Sequence, residues 1–133
     1  MTSEQRALVQ ESFGRLLPMS ETAAELFYSR LFYLDPSLRD LFKVDFQDQS
    51  RKFMDMLNVL VAGLKRPDEL TPTLRDLGAR HVDYGVRNPN YETVGTALLW
   101  AIERSLGRAY TPELRAAWSA FFELISETMQ QGV

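Results

Sequence analysis

The stretch LGARHVDYGV, residues 77–86, contains the only histidine of the chain, His81. Leu74, Leu77 and His81 are spaced i, i+3 and i+7, which places the imidazole on the apolar face of a predicted helix. Burying an imidazole is costly unless its ring nitrogens find partners, and a metal is one such partner. The alternative is a core histidine bonded to a backbone carbonyl, and this helix alone favours that alternative.

Composition indicates one ordinary globular domain spanning residues 1–133. Hydrophobic residues make up 45% of the chain and charged residues 25%, values typical of a folded soluble protein. The net charge of −3 and the dispersed Lys and Arg residues exclude a nucleic-acid surface. The chain has no cysteine, which excludes disulfides, iron–sulfur clusters, thiolate-bound haem and Cys/His zinc sites.

The apolar stretches of the chain predict no membrane span. The start of the chain is polar and shows no signal-peptide pattern. The longest apolar run, residues 59–64, is far too short to cross a bilayer. A cytoplasmic location is therefore the expectation.

Apolar residues recur at helical spacing along nearly the whole chain, and no strand pattern appears. The predicted helix starts are a Thr2–Gln5 capping box, an N-cap at Ser20, and the cap-then-proline pairs Asp35-Pro36, Thr71-Pro72 and Thr111-Pro112. Gly85 and Gly107 are the predicted stops. The expected fold is all-α, with connections too irregular for a simple up-and-down four-helix bundle.

Several segments resemble globins when taken in order. They are FYSRLF (27–32), Asp35-Pro36, Leu41-Phe42, QSRKF (49–53) and the His81 stretch, and they are similar to single-domain bacterial globins and to the haem domain of flavohaemoglobins. Residues 91–118 also resemble neuroglobin. The resemblance covers essentially the whole chain and implies a globin fold of six to eight helices around haem b (iron protoporphyrin IX), with His81 as the proximal iron ligand.

The implied haem pocket needs a flat apolar slot and one axial base. Leu77 lies one turn before His81, where it can press on the same porphyrin face as the imidazole. Val86 can cover a haem edge. The residues expected to line the haem are Phe42, Leu57, Leu77, Val86, Tyr91, Val94 and Leu98.

Three residues are expected on the distal side, where a gas ligand would bind. Tyr28 lies on an inward helical face, so its hydroxyl needs a buried partner. In related bacterial globins the matching tyrosine donates to bound dioxygen and a glutamine, here Gln49, assists. Phe53 is expected to narrow the distal space. Because the chain has one histidine, ligation by two histidines, as in neuroglobin, is excluded.

Arg51, Lys52, Arg80 and Arg87 are candidates for pairing with the haem propionates. Solvated surface cations are an equally good interpretation of each one. Tyr91 matches the flavohaemoglobin tyrosine that a carboxylate of the last helix joins to strengthen the proximal histidine. No Glu or Asp falls at the expected position here, and Glu127 is poorly placed for that role.

The leading functional interpretation is reversible dioxygen binding for storage, transport or delivery, with carbon monoxide and nitric oxide as further ligands. The alternative is an enzyme, nitric oxide dioxygenase. Flavohaemoglobins perform that reaction with their own reductase domain, whereas this chain would need an external reductase. Gas sensing is a third class, for which the sequence offers no output module.

Overall fold

The computed structural model describes residues 1–41, 46–83 and 85–131, and these ranges form helices joined by short turns. Over these ranges there is no strand, which confirms the all-α prediction. The α-helices are α1 (Ser3–Leu16), α2 (Ser20–Leu34), α3 (Phe46–Ala62), α4 (Pro67–Asp83), α5 (Asn88–Leu106) and α6 (Pro112–Gln131). Short 3-10 segments lie at Leu17–Met19, Pro36–Leu41, Gly63–Lys65 and Gly107–Ala109. Within the described chain, no helix is both long and apolar enough to cross a membrane.

Helix boundaries set by local hydrogen bonds agree with the sequence prediction. Thr2 and Gln5 form the expected capping box at the start of α1. Thr111 caps α6, because its hydroxyl oxygen accepts a hydrogen bond from the Leu114 N–H at 3.1 Å. Gly85 and Gly107 have φ values of +90° and +56°, the left-handed region in which a side chain would be strained.

Two other predicted boundaries are wrong. Ser20 does not cap α2; it is the first helical residue, with Met19 at the cap position and no side-chain cap hydrogen bond. Thr71-Pro72 does not open α4, which begins at Pro67, four residues before Thr71. Pro67 meets the same first-turn requirement and is followed by two acidic residues, which the helix dipole favours at this end. The short helix expected after Asp35 does begin at Pro36, with the Ser37 N–H donating to the Asp35 carboxylate at 3.1 Å, and it is a 3-10 helix.

The core is centred on α6, whose Trp118 and Phe121 are fully buried. The Trp118 ring packs edge-on against Phe121, with centroids 5.4 Å apart, and at a tilt against Phe13 of α1, with centroids 6.5 Å apart. The buried indole N–H donates to the Ser12 hydroxyl at 2.9 Å. Its hydrogen bond is thus satisfied within the core, as a buried polar group requires.

Helices α3 and α4 diverge from the Gly63–Lys65 segment and hardly touch each other. α3 packs on α2 and α1, whereas α4 packs on α6. Gly78 brings α4 against the α6 backbone: a Cβ at this position would lie 2.1 Å from the Met129 carbonyl oxygen. The chain therefore holds α3 and α4 apart by fixing each to a different neighbour.

Candidate functional site

His81 lies in the last turn of α4 and is half-buried. Its Nδ1 is 2.7 Å from the Leu77 carbonyl oxygen one turn earlier. A carbonyl only accepts, so Nδ1 carries the proton and donates it. In the neutral ring Nε2 then holds the lone pair, the form in which imidazole binds a metal. The carbonyl bond expected for a purely structural histidine is thus present, and it also fixes the tautomer that a metal ligand needs.

The backbone ends α4 at Asp83, two residues after His81. The Val86 N–H donates to the His81 carbonyl at 2.9 Å, and the Gly85 N–H donates to the Val82 carbonyl at 3.0 Å. This pair of hydrogen bonds is the Schellman pattern of a helix C-terminus, and it needs a residue with positive φ at Gly85. The turn therefore brings the backbone of half-buried Val86 back to the backbone of His81.

Tyr28 lies on α2 and is 4% exposed. Burial raises the pKa of its phenol to about 12, against an ordinary value of 10.0, and a side-chain hydrogen bond with Gln49 of α3 acts in the opposite direction. The hydrogen bond joins the two residues that the sequence analysis assigned to the distal side. At neutral pH the phenol is therefore protonated and can donate.

Phe53 lies one turn after Gln49 on α3 and packs against two rings of α2. It stacks on Phe27 with centroids 4.5 Å apart and planes 6° apart. It meets Tyr28 edge-on at 5.9 Å. Sequence analysis identified Phe53 and Tyr28 but assigned no role to Phe27, because nothing in the pattern shows which ring Phe53 faces. The Phe27 stack fixes Phe53 beside the Tyr28 phenol.

The other expected pocket residues are buried or half-buried apolar side chains of α3, α4 and α5. Leu57 on α3 and Leu98 on α5 are each 6% exposed. Leu77, Tyr91 and Val94 are half-buried and pack against the core from α4 and α5. Large apolar side chains left partly exposed, in a chain whose one histidine presents its Nε2 lone pair, suit haem. Phe42, the remaining member of this set, lies outside the described residues.

The propionate candidates take part mainly in surface ion pairs. Arg51 and Lys52 both pair with Asp48, at 3.0 and 3.5 Å, and both are strongly exposed. Arg80 pairs with Asp76 on the same face of α4. Arg87 is exposed at the start of α5. These contacts agree with the surface-cation interpretation, and a propionate role stays a prediction.

Tyr91 borders a groove of about 420 Å³ between α5 and α6. Gln130, Ser126 and Glu123 of α6 line the same groove, whereas exposed Glu127 does not. Burial raises the pKa of Tyr91, and no described side chain forms a hydrogen bond with its hydroxyl. One turn after Ser126 on α6, the residue that lines the groove is an amide, Gln130. It is not the carboxylate that the flavohaemoglobin pattern has as the partner of this tyrosine.

A cavity of about 800 Å³ lies between α2 and the first half of α3, and no sequence pattern predicted it. Its lining includes Tyr28, Phe32, Arg39, Gln47, Arg51 and Met54. The cavity depends on how two helices are set apart, which periodicity within either helix does not report. Tyr28 therefore has this cavity on one side and the Phe53 ring on the other.

Comparisons with known proteins point in one direction. The sequence model of a family described as Globin matches residues 25–129. Neuroglobin of Tetraodon nigroviridis is 29% identical over 146 residues, and the match covers 99% of this chain and 92% of that protein. Neuroglobin-1 of Oncorhynchus mykiss is 28% identical with the same coverage.

Two solved structures share the fold. An engineered carbene transferase, a putative nitric oxide dioxygenase from Rhodothermus marinus, has a TM-score of 0.86 at 24% identity, covering 99% of this chain and 93% of that one. A hexacoordinated haem protein from an anhydrobiotic tardigrade has a TM-score of 0.88 at 19% identity, covering 99% and 94%. At these identities the similarity concerns the fold alone.

Proposed function

Because the chain belongs to the globin family, we propose that it binds dioxygen reversibly through a ferrous haem b, as an oxygen-storage, transport or delivery protein of the cytoplasm. Haem-based binding of a small ligand follows from family membership. The b-type haem, dioxygen as the ligand and the residues named below are the proposal.

When bound, haem supplies a ferrous iron with one coordination position for a protein base and one for a gas. We assign the protein position to His81. The 2.7 Å contact from Nδ1–H to the Leu77 carbonyl sets the ring orientation and makes the imidazole a stronger electron donor. The partly exposed Leu77, Val86 and Val94 would cover the apolar faces and edge of the macrocycle.

The observation that carries the proposal is the buried phenol of Tyr28 beside Gln49. A protonated hydroxyl in an apolar surrounding stabilises a ligand that carries partial negative charge, because the interaction is only weakly screened there. Dioxygen is such a ligand on ferrous haem, and carbon monoxide is less polar. Phe27 and Phe53 hold the phenol in place by ring packing.

An absorption spectrum of the protein loaded with haemin tests the proposal. We expect a Soret band with the bands of a histidine-ligated haem, and a reversible spectral change when the reduced protein meets dioxygen. His81→Ala should lose the histidine-type spectrum. Val82→Ala is a matched control, because Val82 is the next residue and is 46% exposed. A wild type without a Soret band contradicts haem binding, and an unchanged His81→Ala spectrum contradicts the ligand assignment.

Nitric oxide dioxygenation is the second candidate, in which nitric oxide, dioxygen and one electron give nitrate. The Tyr28–Gln49 hydrogen bond favours it as well, because a donor that retains dioxygen keeps it available to nitric oxide. The electron would come from an external reductase. Nitric oxide consumption with a flavin reductase and reduced nicotinamide cofactor distinguishes the two: sustained stoichiometric nitrate formation supports the enzyme, and a single turnover supports the carrier.

A further inference from the structure

One face of α2 presents Glu25, Tyr28 and Phe32 to the cavity between α2 and α3. These residues are spaced i, i+3 and i+7, so they form one row along the helix. The guanidinium carbon of Arg39, which lines the same cavity, lies 5.5 Å from the centre of the Phe32 ring. The Phe32 ring stacks on Tyr28 with centroids 6.1 Å apart. The row therefore has a carboxylate at one end, a guanidinium group at the other and two aromatic rings between them.

The two charged ends of this row are about two helical turns apart. Glu25 and Phe32 are seven residues apart on α2, which corresponds to about 10 Å along the helix axis. Among the described residues, the ion pairs involve other side chains, and neither Glu25 nor Arg39 takes part in one. The protein thus holds two opposite charges at separate ends of one cavity without joining them.

The other charged residues of the described lining leave both ends open. Arg51 forms an ion pair at 3.0 Å with an acid of its own helix, so Arg39 is the cation of this lining that has no ion pair. Glu21, one turn before Glu25, and Asp55 of α3 also line the cavity and have no described ion pair. Glu21 therefore strengthens the negative potential at the Glu25 end, which attracts a positive group.

The cavity has the size and the lining of a small-molecule site. Its volume of about 800 Å³ falls within the roughly 300–1,000 Å³ of ligand pockets. Tyr28 and Met54 in its lining are buried, whereas Glu25 and Arg39 are exposed. Buried apolar groups with a few charged groups at the rim suit a ligand that has an apolar middle and polar ends.

We propose that this cavity binds a small zwitterion, an ω-amino carboxylate with an ammonium group and a carboxylate at opposite ends of a short apolar chain. Stacking on Phe32 occupies one face of the Arg39 guanidinium and leaves its in-plane N–H groups to bind a carboxylate. The ammonium group pairs with Glu25. A simple anion would leave Glu25 unpaired and a simple cation would leave Arg39 unpaired, whereas the zwitterion pairs both.

Occupation of the cavity would influence the distal side through Tyr28. This side chain has the cavity on one side and the Phe53 ring on the other. An apolar chain lying over Tyr28 excludes water from the phenol, and a hydrogen bond is stronger where water is excluded. The zwitterion should therefore slow dioxygen dissociation. This consequence rests on the proposed function, whereas binding in the cavity does not.

The test is a calorimetric titration of the haem-loaded, carbon-monoxide-saturated full chain with ε-aminocaproate at constant ionic strength. We expect saturable binding. Caproate lacks the ammonium group and hexylamine lacks the carboxylate, so each should bind roughly tenfold or more weakly. β-Alanine, whose charges are too close together to reach both ends, should also bind more weakly. The absence of saturable ε-aminocaproate binding, or equal binding of caproate or hexylamine, overturns the proposal.

Variants of the two charged ends identify the site. Arg39→Gln and Glu25→Gln each remove one charge from an exposed position, so both proteins should fold. Each should weaken ε-aminocaproate binding by roughly tenfold or more. Arg39→Lys keeps the charge and loses the planar fork, so it should bind several-fold more weakly than wild type. Arg15→Gln and Glu11→Gln are matched controls that should bind normally, because these residues pair at 3.0 Å on α1. Unchanged binding in Arg39→Gln or Glu25→Gln overturns the proposal.

Stopped-flow dissociation of dioxygen, with and without saturating ε-aminocaproate, tests the link to Tyr28. The rate should fall by about twofold or more in wild type and stay unchanged in Arg39→Gln. An unchanged wild-type rate despite calorimetric binding overturns the link to Tyr28. A chain that takes up no haem contradicts the proposed function, and the calorimetric titration of that chain still decides whether the cavity binds the zwitterion.

Discussion

At Tyr28 a single hydroxyl oxygen combines burial, a hydrogen bond and a position beside the Phe53 ring. Tyr28→Phe keeps the ring and its packing and removes only the donor. One hydrogen bond of about 1–2 kcal/mol corresponds to roughly 5- to 30-fold faster dioxygen dissociation. Carbon monoxide, a less polar ligand, should respond less, and Gln49→Leu should give a smaller change in the same direction.

Stopped-flow dissociation of both gases measures this effect. Tyr33→Phe is a suitable control, because it removes a hydroxyl from an exposed ring of the same helix. An unaltered dioxygen rate in Tyr28→Phe would mean that the phenol serves only the core.

The raised pKa of Tyr28 also predicts how stability depends on pH. The phenol titrates near 10.0 in the unfolded chain and at about 12 in the folded one. Between these values the folded state holds a proton that the unfolded state has released, so the free energy of unfolding falls as pH rises. Below pH 10 the contribution is complete. We expect wild type to lose stability relative to Tyr28→Phe between pH 10 and 12.

Urea unfolding at pH 9, 10 and 11 checks this pH dependence. The tyrosines whose pKa values are also raised, Tyr91 and Tyr110, are present in both proteins and cancel in the difference. Parallel curves for the two proteins would contradict an elevated Tyr28 pKa.

Among the elements, α4 depends most directly on a single glycine. A Cβ at Gly78 would lie 2.1 Å from the Met129 carbonyl oxygen of α6, and backbone cannot yield as a flexible side chain can. Gly78→Ala should therefore destabilise the fold by about 1–3 kcal/mol through overpacking. Gly14→Ala is the matched control: it lies inside α1 with no atom within 4 Å, so it should stabilise by about 0.5–1 kcal/mol. The denaturant midpoints of both variants measure these effects. If both substitutions shifted the midpoint in the same direction, the close approach of Gly78 to Met129 would be contradicted.

Those elements that local chemistry determines were predictable from the sequence. The Thr2–Gln5 box and the Gly85 stop each depend on a few neighbouring residues. The start of α4 was not predictable from the sequence, because Pro67 and Pro72 carry the same local signal. Only the structure shows that Pro72 lies inside the helix. The contact of Gly78 with α6 depends on helix docking, which no pattern within α4 encodes.

Candidate-site residues divide in the same way. Periodicity places Tyr28 on an inward face, and the structure gives it a hydrogen bond to Gln49. Glu25 and Asp55 are 30 positions apart in the printed sequence, and only the packing of α3 on α2 brings them to one cavity. The sequence alone could therefore not predict this arrangement.

For the whole molecule, haem binding should raise the free energy of unfolding. The helices α3 and α4 hardly touch each other, so a haem bound between them would supply contacts that the haem-free protein lacks. A ligand that binds only the folded chain adds free energy of unfolding, about 2.7 kcal/mol at a free concentration of 100 Kd. We expect haem-loaded protein to unfold at a higher urea concentration than the haem-free protein. His81→Ala should lose most of this difference and Val82→Ala should keep it. An equal midpoint with and without haem would contradict a haem site between these helices.

The Ser12–Trp118 hydrogen bond joins positions 106 residues apart, and this separation matters during synthesis. Ribosomes add roughly 5–20 residues per second, so about 5–20 seconds pass between the emergence of Ser12 and that of Trp118. Over that interval the apolar side chains of α1, including Val9 and Phe13, lack α6, the helix that later buries them. The nascent chain therefore exposes the apolar face of an otherwise polar N-terminal segment, and we expect a holding chaperone to bind there before α6 is made.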